Sequence, residues 1–283
     1  WTISFYRFSA VWTGFLIHSL TTVAAAWALL GAARLSGLTV SPKSIGAAAL
    51  AAALLVSAYG LWAAFHPKVR VVTVPVAALA ENWENRTIVL LSDLHLGHMH
   101  GRGFARQVVS RVNGLDPDLV MITGDLIDGM GGPYARNLRP LSRMKARHGV
   151  FFVTGNHEHY VGLEKALDLI SSTPLQILDN EVVEISGLEL VGVSYPGVGS
   201  AAEIQNLAIP RPPGRVRIAM FHTPTEMGID QGPVRDRHFA NYWMPDTRFE
   251  VNQQMDADLQ VSGHTHHGQL FPLQFLTRLL YRG

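Results

Sequence analysis

Hydrophobic positions follow two regimes along the chain. Up to residue 66 they run almost without interruption, and residues 10–33 and 44–65 form two apolar stretches. Each is long enough to cross a hydrocarbon core of about 30 Å at about 1.5 Å per helical residue. The segment between them, 34–43, is polar and carries Gly37 and Pro42. This pattern predicts a transmembrane helical hairpin over residues 1–66; a hairpin buried in a soluble protein is the alternative. Trp12, Trp27, Tyr59 and Trp62 are placed to sit at membrane interfaces. His18, inside the first stretch, is expected to be a neutral imidazole bonded to the neighbouring helix.

Beyond His66-Pro67 the apolar runs shorten to strand length and alternate with helical spacing. Strands are predicted at 69–76, 87–92, 118–123, 150–154, 175–178, 181–185, 188–193, 216–221 and 259–262. Residues 104–115 have apolar positions at helical spacing (Phe104, Val108, Val109, Val112), and 163–170 also read as helix. Pro140 suits the first turn of a short helix closing at Gly149. Strand–helix alternation followed by a run of strands argues for an α/β domain over residues 67–283 with a mixed sheet or two packed sheets.

Charge sharpens the division. Residues 1–66 contain only Arg7, Arg34 and Lys43 and no acidic residue, which leaves 20 basic and 22 acidic side chains for the remainder. No basic stripe points to nucleic acid, so no nucleic-acid partner is expected. The absence of cysteine excludes disulfides, thiolate metal sites and cysteine nucleophiles.

Five short polar segments carry the chemistry: Ser92-Asp93-Leu94-His95, Gly124-Asp125-Leu126-Ile127-Asp128, Gly155-Asn156-His157-Glu158, Phe221-His222-Thr223 and Gly263-His264-Thr265-His266. A strand followed at once by oxygen and imidazole donors delivers them to the carboxyl edge of a sheet, where α/β proteins bind ligands. Asp93 and His95, like His264 and His266, are two apart and can point the same way from an extended strand end. One carboxylate has two oxygens and can bridge two cations. Taken singly, each segment has an ordinary structural reading, and a buried histidine such as His222 is more often satisfied core than ligand. Taken together they point to a two-metal hydrolytic site.

In this order and spacing the five segments resemble the calcineurin-like metallophosphoesterases, over roughly residues 88–269. The Asn-His-Glu form, the closing Gly-His-Thr-His-His-Gly-Gln and the apolar front resemble the membrane-anchored bacterial branch, which includes phosphodiesterases and UDP-2,3-diacylglucosamine pyrophosphatases. The resemblance implies a four-layer α/β/β/α sandwich with two packed mixed sheets. It implies one divalent metal on Asp93, His95 and His266, a second on Asn156, His222 and His264, and Asp125 bridging them. Manganese, iron or zinc would suit such donors. His157 would face the phosphate, while Asp128 and Glu158 would hold ligand loops in place. The implied activity is hydrolysis of phosphodiester or pyrophosphate bonds by a metal-bridging hydroxide, with lipid-linked or nucleotide-sugar substrates among the classes, in a bacterial inner membrane. A non-catalytic metal-binding scaffold on the same fold is the alternative.

His98 and His100 follow the first motif and read as surface residues, with contact to substrate as the alternative; His159 and Tyr160 read as pocket lining, and His267 lies outside the metal set. Residues 228–252, rich in aromatics among charges, read either as a surface excursion or as an amphipathic cap near the bilayer. The apolar end from Leu276 to Tyr281 suggests that further strands follow.

Overall fold

The computed structural model describes residues 2–76, 81–198, 201–227, 249, 253–266 and 274–281. The predicted cap, 228–252, therefore lies outside the described residues apart from Phe249, and so does His267. The chain divides into a helical unit up to Arg70 and an α/β unit beginning at Val71.

In the helical unit, α1 (Thr2–Leu35) and α2 (Pro42–Ala64) pack on each other. Ser41 caps α2, its hydroxyl accepting from the Ser44 N–H, and Pro42 occupies the first turn, where a missing N–H costs nothing. The buried apolar positions are small (Ala26, Ala49, Ala53), which lets the helix backbones approach. Leu, Phe and Trp side chains point outward instead: Leu20, Trp27 and Leu55 are each more than 70% exposed. His18 Nδ1 lies 2.9 Å from Ser57 Oγ on the other helix, the interhelical bond expected of it. Both helices are long and apolar enough to cross a membrane.

The α/β unit holds two four-stranded sheets. The first has order β1 (Ile88–Leu91), β2 (Leu119–Thr123), β3 (Val150–Val153), β4 (Gln176–Ile177) and is parallel throughout its described strands. The second has order β5 (Glu181–Ile185), β6 (Leu188–Val193), β7 (Val216–Phe221), β8 (Leu259–Val261); only its β5–β6 hairpin is antiparallel. Period-two alternation sorts the side chains into layers. Val120, Ile122, Val150 and Phe152 face α3 (Arg102–Gly114) and α6 (Leu163–Ser171). Leu119, Met121, Phe151 and Val153 meet Leu188, Leu190, Ile218 and Met220 between the sheets. Val191, Ala219 and Phe221 line the far face with Leu207 of α7 (Ala201–Leu207). The result is the four-layer α/β/β/α sandwich.

Several local expectations are corrected. Residues 67–76 form no strand; Val71 is 86% exposed and Val72 67%. A β-branched run becomes a strand only where an edge supplies hydrogen-bond partners. The helix near Pro140 does not reach Gly149. Instead α4 (Tyr134–Leu138) passes into a 3-10 turn, Arg139–Arg143, which ends where Asn113 donates to the Arg143 carbonyl and accepts from the Lys145 N–H. Three helices were not anticipated: α5 (Asn156–Val161), α7, and α8 (Gln274–Tyr281).

Candidate metal centre

Five strand ends converge: β1 leads into Asp93 and His95, β2 into Asp125, β3 into Asn156 and His157, β7 into His222, and β8 into His264 and His266. Backbone bonds lace these ends together. Asp93 N–H donates to Gly124 O (3.2 Å), His95 N–H to Asp125 O (3.0 Å), and Gly263 N–H to His222 O (2.8 Å). The i, i+2 spacing works, but not through extended backbone. Asp93, His95, Asp125, His264 and His266 all have positive φ, between 44° and 71°. Asp and His tolerate this region better than most residues, and strain of this kind concentrates at functional sites.

Two groups of donor atoms result. In one, Asp93, His95, Asp125 and His266 present ligand atoms within 4.8 Å of one another. His266 Nε2 lies 3.2 Å from Asp93 Oδ1 and 3.0 Å from His95 Nε2, which is 3.7 Å from Asp125 Oδ2. In the other, His222 Nε2 is 2.9 Å from Asn156 Oδ1, 3.1 Å from His264 Nδ1 and 3.3 Å from Asp125 Oδ2. Asp125 Oδ2 belongs to both. Its other oxygen accepts the His157 backbone N–H at 2.9 Å. All eight predicted site residues are thus brought together.

The donors fit divalent cations. Bonds of about 2.1 Å from one centre place neighbouring ligands about 3.0–3.4 Å apart, which matches the Asp125–Asn156–His222–His264 set. Tautomers are also set appropriately. His222 Nδ1 lies 2.8 Å from the Thr123 carbonyl, so it carries the proton and leaves Nε2 facing the cluster. Gly124 makes this approach possible: its φ is +85°, and a Cβ there would meet His222 Nδ1 at 2.6 Å.

Charge is arranged accordingly. Burial raises the Asp93 carboxyl, but hydrogen bonding from His266 and the charges of His222 and His266 outweigh it and hold it at about 2. Burial alone would also raise Asp125; His222 instead brings it well below the carboxylate range. Burial and neighbouring imidazoles lower His95 to about 4 and His264 to about 3, so both are neutral donors at pH 7. His222 goes the other way: burial opposes its charge, yet Asp125 lifts it to about 9. Without a cation, His222 therefore holds a proton where a metal would sit. Metal binding must displace that proton, so affinity should rise about tenfold per pH unit from 7 toward 9 and then level off. Conversely, the His222⁺–Asp125⁻ pair stabilises the metal-free fold fully between about pH 4 and 6.5, is lost as pH rises through about 9, and weakens again in acid as the carboxyl protonates. Calorimetric titration of chelator-stripped protein with zinc in buffers of different ionisation enthalpy would count the released proton; zero release at pH 7 contradicts this reading.

Two further residues stand beside the donor groups. Glu158 is completely buried and accepts three backbone N–H groups: Asp125 (3.0 Å), Ile127 (3.2 Å) and Gly155 (2.7 Å). It fastens the second and third ligand loops to each other. Burial and the Asp125 charge push its carboxyl up to about 7 against those bonds. His157 Nδ1 accepts the Gly129 N–H at 2.9 Å and lies 3.6 Å from Asp128 Oδ1. The shorter contact places the proton of the neutral ring on Nε2, which faces Asp125 Oδ2 at 3.9 Å. Burial lowers the imidazole pKa, but the Asp128 and Asp125 charges prevail and raise it. His98 and His100 are neither fully exposed nor in the core. Both are partly buried, and His100 stacks on Phe104 at 4.1 Å. His159 Nε2 bonds the Tyr195 carbonyl at 2.7 Å.

The pattern of the calcineurin-like phosphoesterases matches residues 86–268. The chain belongs to that family. A zebrafish relative, "Transmembrane protein with metallophosphoesterase domain", is 35% identical over 240 residues, covering 82% of this chain and 52% of that protein. An "Uncharacterized metallophosphoesterase" of Helicobacter pylori is 32% identical over 196 residues, 68% of this chain and 47% of its own length. One of Aquifex aeolicus is 33% identical over 234 residues, 81% of each. The chain thus spans about half the length of the first two relatives. The relatives with a transmembrane name are the animal proteins of zebrafish and Bos taurus, while those of Campylobacter jejuni and Caenorhabditis elegans are named only as metallophosphoesterases.

Proposed function

We propose that this chain is the anchoring and catalytic part of a membrane-attached hydrolase of phosphodiester or pyrophosphate bonds that works with two divalent cations. The observation that carries the reading is Asp125 Oδ2, a single carboxylate oxygen shared by two groups of ligand atoms. Asp93, His95 and His266 would hold one cation, Asn156, His222 and His264 the other, with Asp125 between them. Cations bound there would supply Lewis acidity toward the phosphoryl oxygens and an activated water. His157 is kept oriented by Gly129 and Asp128, with Nε2–H available to donate to a phosphoryl or leaving-group oxygen. Glu158 keeps the Asp125 and Asn156 loops in register.

Two apolar helices and relatives named as transmembrane proteins support membrane attachment, and a bacterial inner membrane is the location this proposal takes. A lipid-linked or nucleotide-sugar substrate would suit a domain tethered in this way. The competing reading is a metal-binding scaffold without turnover. An intact His157 beside the shared carboxylate favours the enzyme.

Detergent-purified protein should contain about two equivalents of manganese, iron or zinc. It should hydrolyse bis(p-nitrophenyl) phosphate faster than p-nitrophenyl phosphate, and UDP-diacylglucosamine is the lipid-linked candidate to assay beside them. His157→Ala should lower turnover by about 10²–10⁴-fold at unchanged metal content. Hydrolysis that survives chelation, or equal rates in wild type and His157→Ala, would reject the mechanism.

A further inference from the structure

Tyr160 follows His157 by three residues on α5, so the two side chains share one helix face. The rings lie 5.1 Å apart, centroid to centroid, with planes tilted by 54°. Tyr160 also rests on Gly129, the residue whose N–H bonds His157. A Cβ at 129 would approach the Tyr160 Cβ at 2.7 Å and Cδ2 at 3.0 Å. The phenol is therefore held on two sides, yet 59% of Tyr160 remains exposed, and Met130 beside Gly129 is 65% exposed. A tyrosine kept for packing would be covered. A fixed, open aromatic face next to an imidazole that can donate a proton instead offers a flat surface to whatever group the phosphoester carries on that side. Every nucleobase or aryl ring has a π-face that can use such a platform, whereas glycerol and other alkyl groups gain little from it.

We infer that Tyr160 is a specificity-determining residue: its ring stacks on a planar aromatic group attached to the phosphoester, making nucleotidyl or aryl esters the favoured substrates over alkyl ones. This rests on the hydrolase reading above. It goes further in naming the chemistry of the group beyond the phosphorus.

The test compares two substrates in the full-length, metal-loaded protein: bis(p-nitrophenyl) phosphate, which bears rings, and glycerophosphoethanolamine, which does not. Tyr160→Ala should lower the ratio of their kcat/KM values about tenfold, the loss on the aryl ester falling mainly in KM. Tyr160→Phe, which keeps the face and removes the hydroxyl, should restore the wild-type ratio. Metal content and melting temperature, measured on each variant, identify any that is misfolded. An unchanged ratio overturns the inference, whether both activities fall equally, as they would if Tyr160 merely propped His157, or neither falls. Wild-type protein inert toward both esters would sink the hydrolase reading alone. Stacking would then be read as binding of UMP, expected about tenfold tighter to wild type than to Tyr160→Ala, and equal affinities would overturn it.

Discussion

Asp125→Asn should reduce hydrolysis by at least about 10³-fold in kcat/KM, equivalent to about 4 kcal/mol of transition-state stabilisation. Bound metal should fall from two equivalents to one or fewer. The substitution retains the side-chain shape and one acceptor for the His157 N–H, now 2.9 Å from Oδ1. What it removes is the anionic Oδ2, which lies 3.3 Å from His222 and 3.7 Å from His95. Both groups of ligand atoms lose their common member together. His222 loses the counter-charge that keeps it protonated, so proton release on metal binding at pH 7 should fall as well. The fold should persist, because the neighbouring Leu126 and Ile127 remain in the core and the backbone N–H of residue 125 still bonds Glu158. Elemental analysis, initial rates and thermal melts on one preparation decide the matter. Two equivalents of metal with wild-type turnover would mean that Asp125 bridges nothing.

The parts of this site visible in the sequence are those that strand chemistry marks. β2 is buried on both faces and stops at a Gly-Asp; β3 behaves alike and stops at Gly-Asn-His. An apolar run ending abruptly in donors can be recognised without coordinates, and so can two such runs at matching sheet edges. The left-handed backbone at Asp93, His95, His264 and His266 cannot, because it is imposed by the loops that lace the strand ends rather than by local preference. α5 was hidden for a related reason. Asn-His-Glu-His-Tyr-Val has no 3.6-residue apolar period, and the helix starts where Gly155 and the buried Glu158 carboxylate fix it.

Tertiary pairing misleads in both directions. The valines at 69–76 have every local mark of a strand and find no partner, whereas Arg217 looks out of place in one. It is fully buried in β7, paired at 2.7 Å with Glu189 at the matching register position of β6. Its Nη2 and Nη1 also donate to the Ile209 and Met255 carbonyls respectively, and Met255 precedes β8. Opposite charges at one register position of parallel strands are a signal that pattern reading passes over, because it treats a buried run as uniformly apolar.

Gly263→Ala tests how closely the strand ends must approach, and it should be nearly as damaging as loss of the shared carboxylate. Gly263 needs no special φ; what it lacks is room. A Cβ there would overlap Ser92 Oγ and Asp93 Oδ2 outright and come within 2.6 Å of Ser92 Cβ. The next residue depends on the same closeness, since His264 N–H donates to both Asp93 oxygens at 3.1 and 2.9 Å. Displacing residue 263 therefore disturbs Asp93 directly, and carries with it one imidazole of each group, His264 and His266. We expect a loss of about 10²–10³-fold in turnover with metal content below one equivalent. The hydrophobic layers lie elsewhere, so the melting temperature in chelator should change by only a few degrees, consistent with a local cost of about 1 kcal/mol. Adding Ser92→Gly removes two of the three clashes but leaves the one with Asp93. The double variant should thus recover the melting temperature and not the metal. Recovery of both would show that Ser92, rather than Asp93, sets the spacing; full metal loading in the single variant would show that β8 has slack and that the two groups need not be held together by this contact.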